Sequence, residues 1–124
     1  MKNILLVGIG GGAGSIARYL FQKWVNNFYF HSFPLATFLI NIIGCFSIGI
    51  FYAATEKTNI LSPQLRLLLI TGLCGGFTTF STFSFENMHL IRTGDLVYFL
   101  LYSLGSVIIG IATVFTGIFL IKAI

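Results

Sequence analysis

The sequence predicts an all-α membrane protein of four transmembrane helices, and three observations carry that prediction. Hydrophobic residues make up 56% of the 124 residues and charged residues only 8%, whereas a soluble domain carries roughly a quarter charged residues. Seven basic and three acidic groups cannot clothe a globule of this size in a polar shell. Four stretches between charges or turn formers reach the length of about 20 apolar residues that a span requires at ~1.5 Å rise per residue.

The spans run roughly from Asn3 to Val25, Phe33 to Thr55, Pro63 to Ile91 and Leu96 to Ile121, making residues 1–124 one four-helix transmembrane domain. Short connections separate them: Asn26-Asn27 with His31, then Glu56-Lys57-Thr58-Asn59, then Arg92-Thr93-Gly94-Asp95. Four crossings put both termini on one side. That side would hold Lys2, Lys57, Arg66 and Lys122, and the other Lys23 and Arg92. The positive-inside bias is therefore small enough to allow insertion in both orientations, and with it an antiparallel homodimer.

In the first span, Ile4-Leu5-Leu6-Val7 leads into Gly8-Ile9-Gly10-Gly11-Gly12-Ala13, a formal match to a dinucleotide-binding fingerprint. That fingerprint needs a βαβ unit and an acidic residue about 20 positions on, and the first acid here is Glu56. Gly10 and Gly14 instead share one helix face, extended by Ser15, on which another backbone can approach closely. Arg18 stands about two turns before the end of the span and keeps its charge. It either snorkels to the headgroups, at the interfacial depth Tyr19 suggests, or sets a positive potential that draws anions to a pore mouth.

In the second span Asn41 falls near mid-membrane. Its amide either forms an interhelical hydrogen bond or turns its NH₂ toward a polar path.

The third span is the most informative. Gly75-Gly76-Phe77-Thr78-Thr79-Phe80-Ser81-Thr82-Phe83-Ser84-Phe85-Glu86 mixes glycine, hydroxyls, phenylalanine and a carboxylate where hydrocarbon tolerates little polarity. Two glycines followed by adjacent β-branched threonines are poor ground for a continuous helix, so a break is expected over Gly75 to Thr79. Freed carbonyls there suit a cation and freed N–H groups an anion. Phe80 and Phe83, three apart, fall on neighbouring directions of one face and can present either ring faces or positive edges.

In the fourth span Tyr102, Ser106, Gly110, Thr113 and Gly117 recur at helical spacing, a stripe that serves either packing or a ladder of hydroxyls. Cys45 and Cys74 have no Cys or His neighbours and are read as small packing residues. His31, His89, Glu56, Glu86 and Asp95 yield no nucleophile–base pair or metal cluster at usable spacing, so no enzyme is expected.

Three segments carry a resemblance to a known family: Gly10-Gly11-Gly12-Ala13-Gly14-Ser15-Ile16-Ala17-Arg18-Tyr19, Thr37-Phe38-Leu39-Ile40-Asn41-Ile42-Ile43-Gly44, and Gly72 through Glu86. Over nearly its whole length the chain resembles the Fluc, or CrcB-type, fluoride channels. The resemblance implies a passive fluoride-selective channel in the bacterial inner membrane, an antiparallel homodimer with two pores that exports fluoride from the cytoplasm. By motif, Phe80 and Phe83 would be the paired pore aromatics, Asn41 an amide on the ion path, Arg18 a structural or vestibular charge, and Ser81 and Thr82 added hydroxyls. Tyr102 and Ser106 match the family's polar track, whose far end is open because Gly110 stands where a hydroxyl is expected, leaving Thr113 or a water to take over. Backbone carbonyls of Gly75 and Thr78 from both subunits would hold a structural Na⁺ at the dimer centre. Fluoride, a second copy and the lipid bilayer are the expected partners, and nucleic acid is not one. The rival class is a small dual-topology multidrug or cation exporter, which wants an intramembrane carboxylate in a span where this chain has Arg18.

Overall fold

The computed structural model describes residues 1–57 and 59–124, and among them it is helical with no strand. Helix α1 spans Lys2–Asn26 and α2 spans Leu35–Thr58. The third span is divided into α3 (Pro63–Arg66), a π-helical segment (Leu67–Cys74), α4 (Gly75–Phe77) and, after two extended residues, α5 (Phe80–Thr93). Helix α6 (Leu96–Ala123) closes the chain. Four helices are long and apolar enough to cross a membrane, the third being the divided one.

Local chemistry sets the ends. Pro34, at φ −76° and ψ 68°, stands outside the helical path, so α2 starts at Leu35 rather than at Phe33. Phe33 instead packs its ring between α2 and α6, with centroids 5.6 Å from Phe38, 5.9 Å from Tyr98 and 5.6 Å from Tyr102. The Ser62 hydroxyl accepts from the Leu65 N–H to cap α3, with Pro63 at the first helical position. Gly94 takes φ 83° past the end of α5, where a side chain would be strained.

The expected break is narrower than Gly75 to Thr79. Gly75 keeps helical angles (φ −62°, ψ −38°), and only Thr78 (ψ 157°) and Thr79 (φ −149°, ψ 122°) are extended. The two threonines leave the helix, in keeping with the extended preference of β-branched residues. Gly76 before them serves packing: a methyl there would come within 3.0 Å of the Gly11 backbone. The π-helical turns just upstream carry no mark in the apolar pattern and are a finding of the structure alone.

Two helix pairs organise the bundle. Helix α1 lies against the π-helical segment and α4, and α2 lies along α6. In the first pair Gly10 meets Gly72 so closely that a methyl would sit 3.0 Å from the Gly72 Cα, so the Gly10–Gly14 face serves backbone approach. In the second, a methyl on Gly117 would lie 3.0 Å from the Ile50 nitrogen. The Lys57 Nζ donates to the carbonyls of Ile121 (3.1 Å) and Lys122 (3.3 Å), joining the end of α2 to the end of the chain. Within the four spans no more than 22% of the most apolar stretch is buried by the chain itself. The remaining apolar surface faces lipid or another chain.

Candidate functional site

Residues that leave a helix inside a membrane need new partners for their backbone groups. At the break, α2 and α1 supply them. The Asn41 amide grips Thr79 twice: its Oδ1 accepts from the Thr79 N–H at 2.9 Å, and its Nδ2 donates to the Thr79 carbonyl at 3.1 Å. Arg18 Nη1 donates to the Thr78 carbonyl at 3.1 Å, and the Ser15 hydroxyl lies 3.5 Å from the Gly76 carbonyl. Arg18 therefore turns into the bundle rather than snorkelling, while Tyr19 beside it is exposed.

Helix α5 restarts from this point. The Thr79 hydroxyl accepts from the Thr82 N–H at 3.2 Å, capping the new helix, and lies 3.2 Å from the Thr82 hydroxyl and 3.3 Å from that of Ser81. Ser81 and Thr82 thus belong first to a cap cluster. The N–H groups of Phe80 and Ser81 remain at the positive end of the α5 dipole, with the Arg18 guanidinium beside the preceding carbonyl. Upstream, the Gly75 carbonyl loses its ordinary helical donor, because the Thr79 N–H is held by Asn41.

Phe80 and Phe83 come together as the sequence suggested, with centroids 5.7 Å apart, and Phe83 in turn packs on Tyr102 at 5.0 Å. Phe80 projects out of the chain and is 78% exposed. Tyr102 is fully buried, and neither its hydroxyl nor that of Ser106 has a hydrogen-bond partner among the described residues, although Tyr102 lies near Thr37 and Glu86. Farther along α6, the Thr113 hydroxyl donates to the Gly110 carbonyl at 2.9 Å, so Thr113 does not extend this track as a free donor.

Beyond Phe83, α5 borders a cavity of about 420 Å³ that opens beside the Asn27–Pro34 connection. Gln22, Thr37, Thr82, Glu86, His31 and His89 line it. Thr37, buried at 1% exposure, donates to Glu86 Oε1 at 2.6 Å and receives the Gln22 amide at 3.4 Å. Sequence reasoning left Glu86 without a role and passed over Thr37 and Gln22. The available signal was the four-residue spacing of Thr37 and Asn41, which puts both on the face of α2 that meets the third span. Gln22 on α1 had none.

These features define a multi-pass membrane protein whose third helix is interrupted to bring an arginine, an amide and hydroxyls together within the span. Such a break is the architecture of an ion-conducting protein. A family profile described as CrcB-like protein, Camphor Resistance (CrcB), matches residues 5–118. The chain is 45% identical over 122 residues to the fluoride-specific ion channel FluC of Flavobacterium psychrophilum, covering 98% of each chain. It is 51% identical over 122 residues to the protein of the same description from Chlorobaculum tepidum (98% and 96% covered). The Leptospira interrogans relative, also so described, is 44% identical over 121 residues (98% and 95%). The chain belongs to the CrcB-like family.

Proposed function

We propose that the protein is a passive fluoride channel, not an enzyme, which exports fluoride from the cytoplasm across the bacterial inner membrane. The relatives' description as fluoride-specific ion channels supports it. The observation that carries it is the break at Thr78 and Thr79, where N–H groups, the Arg18 charge and the Phe80–Phe83 pair meet within one span. Moving a small ion into a low-dielectric interior costs tens of kcal/mol, whereas ring–ion contacts return on the order of 1–2 kcal/mol. The donors must therefore do most of the work. Within this chain the candidates are the second Asn41 amide proton, the hydroxyls of Tyr102 and Ser106, Ser81 and Thr82, and the free N–H groups of α5.

The functional unit is an antiparallel homodimer with two pores. Phe80 faces away from its own chain, so its ring contributes to an ion route only if a second chain closes the other side. Gly75 supports the same view. A methyl there would meet nothing nearer than the Ile70 carbonyl oxygen at 3.8 Å, so nothing inside this chain demands a glycine. Close approach of a partner does.

A structural Na⁺ fits the donor chemistry at the same place, because hard cations take carbonyl oxygens. Gly75 offers a carbonyl without its helical donor, and Thr78 offers the lone pair that Arg18 leaves free. Two carbonyls from each of two chains would hold the ion and tie the breaks together.

Fluoride and chloride efflux from liposomes containing the purified protein tests the channel. Fluoride efflux without coupling to a proton gradient is expected. Proton movement driven by an organic cation, with no fluoride flux, would instead identify an exporter.

A further inference from the structure

We propose that Gln22 is a positioning residue of the ion path: its side-chain amide occupies an acceptor site of the Thr37 hydroxyl and so commits the Thr37 proton to Glu86. The proposal rests on the channel reading above, since it concerns the wall of the cavity beside Phe83. Three elements meet there, Gln22 from α1, Thr37 from α2 and Glu86 from α5.

A threonine hydroxyl has one proton and two lone pairs. The Thr37–Glu86 contact is short, at 2.6 Å, with the Thr37 hydroxyl as the donor. With its only proton given to Glu86, Thr37 can only accept from Gln22, and the Gln22 Nε2 lies 3.4 Å away. Thr37 is buried, with the unpartnered Tyr102 hydroxyl as the other donor nearby. The relay thus runs one way, from amide to hydroxyl to carboxylate, and each donation strengthens the next.

Its consequence is electrostatic. Glu86 lines the cavity together with Thr82, and a bare carboxylate there repels an anion that approaches the start of α5 from it. Donation from Thr37 offsets part of that negative charge and fixes where it sits. Without Gln22, the Thr37 hydroxyl loses a donor to its lone pairs, and the Thr37–Glu86 bond loses the polarisation that strengthens it.

The test uses the full-length protein in liposomes, with fluoride efflux and infrared absorption of the carboxyl groups as readouts. The glutamates of this chain are Glu56 and Glu86, so the difference between wild type and Glu86→Gln isolates the Glu86 band. Gln22→Met keeps the side chain's length and removes the donor, and Gln22→Glu replaces the amide with a carboxyl should the methionine variant fail to assemble. Gln22→Met is expected to slow fluoride efflux about twofold to twelvefold, the range set by one neutral hydrogen bond, and to shift the Glu86 band. Both effects should vanish in a Thr37→Val background. Wild-type efflux with an unshifted band overturns the proposal, as does an effect that persists undiminished without the Thr37 hydroxyl. The infrared arm does not depend on which ion passes. A wild type silent for fluoride would therefore count against the channel, while the band still decides the role of Gln22.

Discussion

Replacing Asn41 with leucine separates a clamp from an ion contact. In the folded chain the Asn41 amide satisfies both backbone groups of Thr79, at 2.9 and 3.1 Å, and Thr79 is 8% exposed, so water cannot replace it. Leucine keeps the branched shape and the number of heavy atoms and removes both bonds. Interhelical polar bonds in membranes contribute about 0.6–2 kcal/mol each. Two lost together should cost roughly 2 kcal/mol, a factor of about 30 in the equilibrium that holds the break in shape. The assay pairs unfolding in mixed detergent micelles with fluoride efflux from liposomes. Both stability and efflux should fall in Asn41→Leu. Asn41→Asp, which keeps the acceptor for the Thr79 N–H and loses the donor to its carbonyl, should fall between leucine and wild type in stability. If Asn41 served only as a contact for the passing ion, efflux would collapse with unfolding unchanged. That outcome, or wild-type behaviour in both assays, refutes the clamp.

Phe80→Ile and Phe83→Ile should each abolish or strongly reduce fluoride efflux while leaving the assembled dimer intact by size-exclusion chromatography; wild-type flux in both would remove the aromatics from the path. Arg18→Gln loses a charge-assisted bond to the Thr78 carbonyl, and at a half-buried site about 1 kcal/mol of stability should go with it, together with a drop in flux, both read in the paired assays above. Gly14→Ala places a methyl 2.8 Å from the Phe77 nitrogen, a backbone atom that cannot rotate away, and should cost about 1–3 kcal/mol in the unfolding assay. Gly75→Ala should instead spare the monomer and weaken the dimer, since the nearest atom of the same chain is 3.8 Å from the added methyl. Equal losses of dimer from both glycine variants, measured by cross-linking, would argue against a partner at Gly75.

The spans were legible because a bilayer permits few solutions: about 20 apolar residues between charges leave little doubt that a helix crosses. The break was legible in kind and displaced in detail. Gly75 and Gly76 signalled a weak helix, but propensity does not say whether a glycine loosens its own helix or admits a neighbour, and here α1 occupies the space at Gly76. Arg18 and Asn41 were recognisable as costly residues in a span, while their choice of the Thr78 and Thr79 backbone required the fold. Gln22 carried no signal, and Thr37 carried only its spacing from Asn41, for a different reason. Both are ordinary near a helix end, and they matter only because the returning third span brings Glu86 to them.

The break also separates two signs of charge along one span. The helical run from Pro63 to Phe77 ends in carbonyls, which without continuing donors form a negative end, and α5 begins with N–H groups at a positive one. Only Thr78 and Thr79 lie between them. A cation on the carbonyl side and an anion on the N–H side would each meet the favourable end of a helix, and the Arg18 charge, seated on the Thr78 carbonyl, biases the boundary toward anions. Asn41 keeps the two ends apart by taking the N–H that would rejoin them to the Gly75 carbonyl. The charge bias at the break would then come from two helix ends held open at the right residue, with the Arg18 guanidinium added to them.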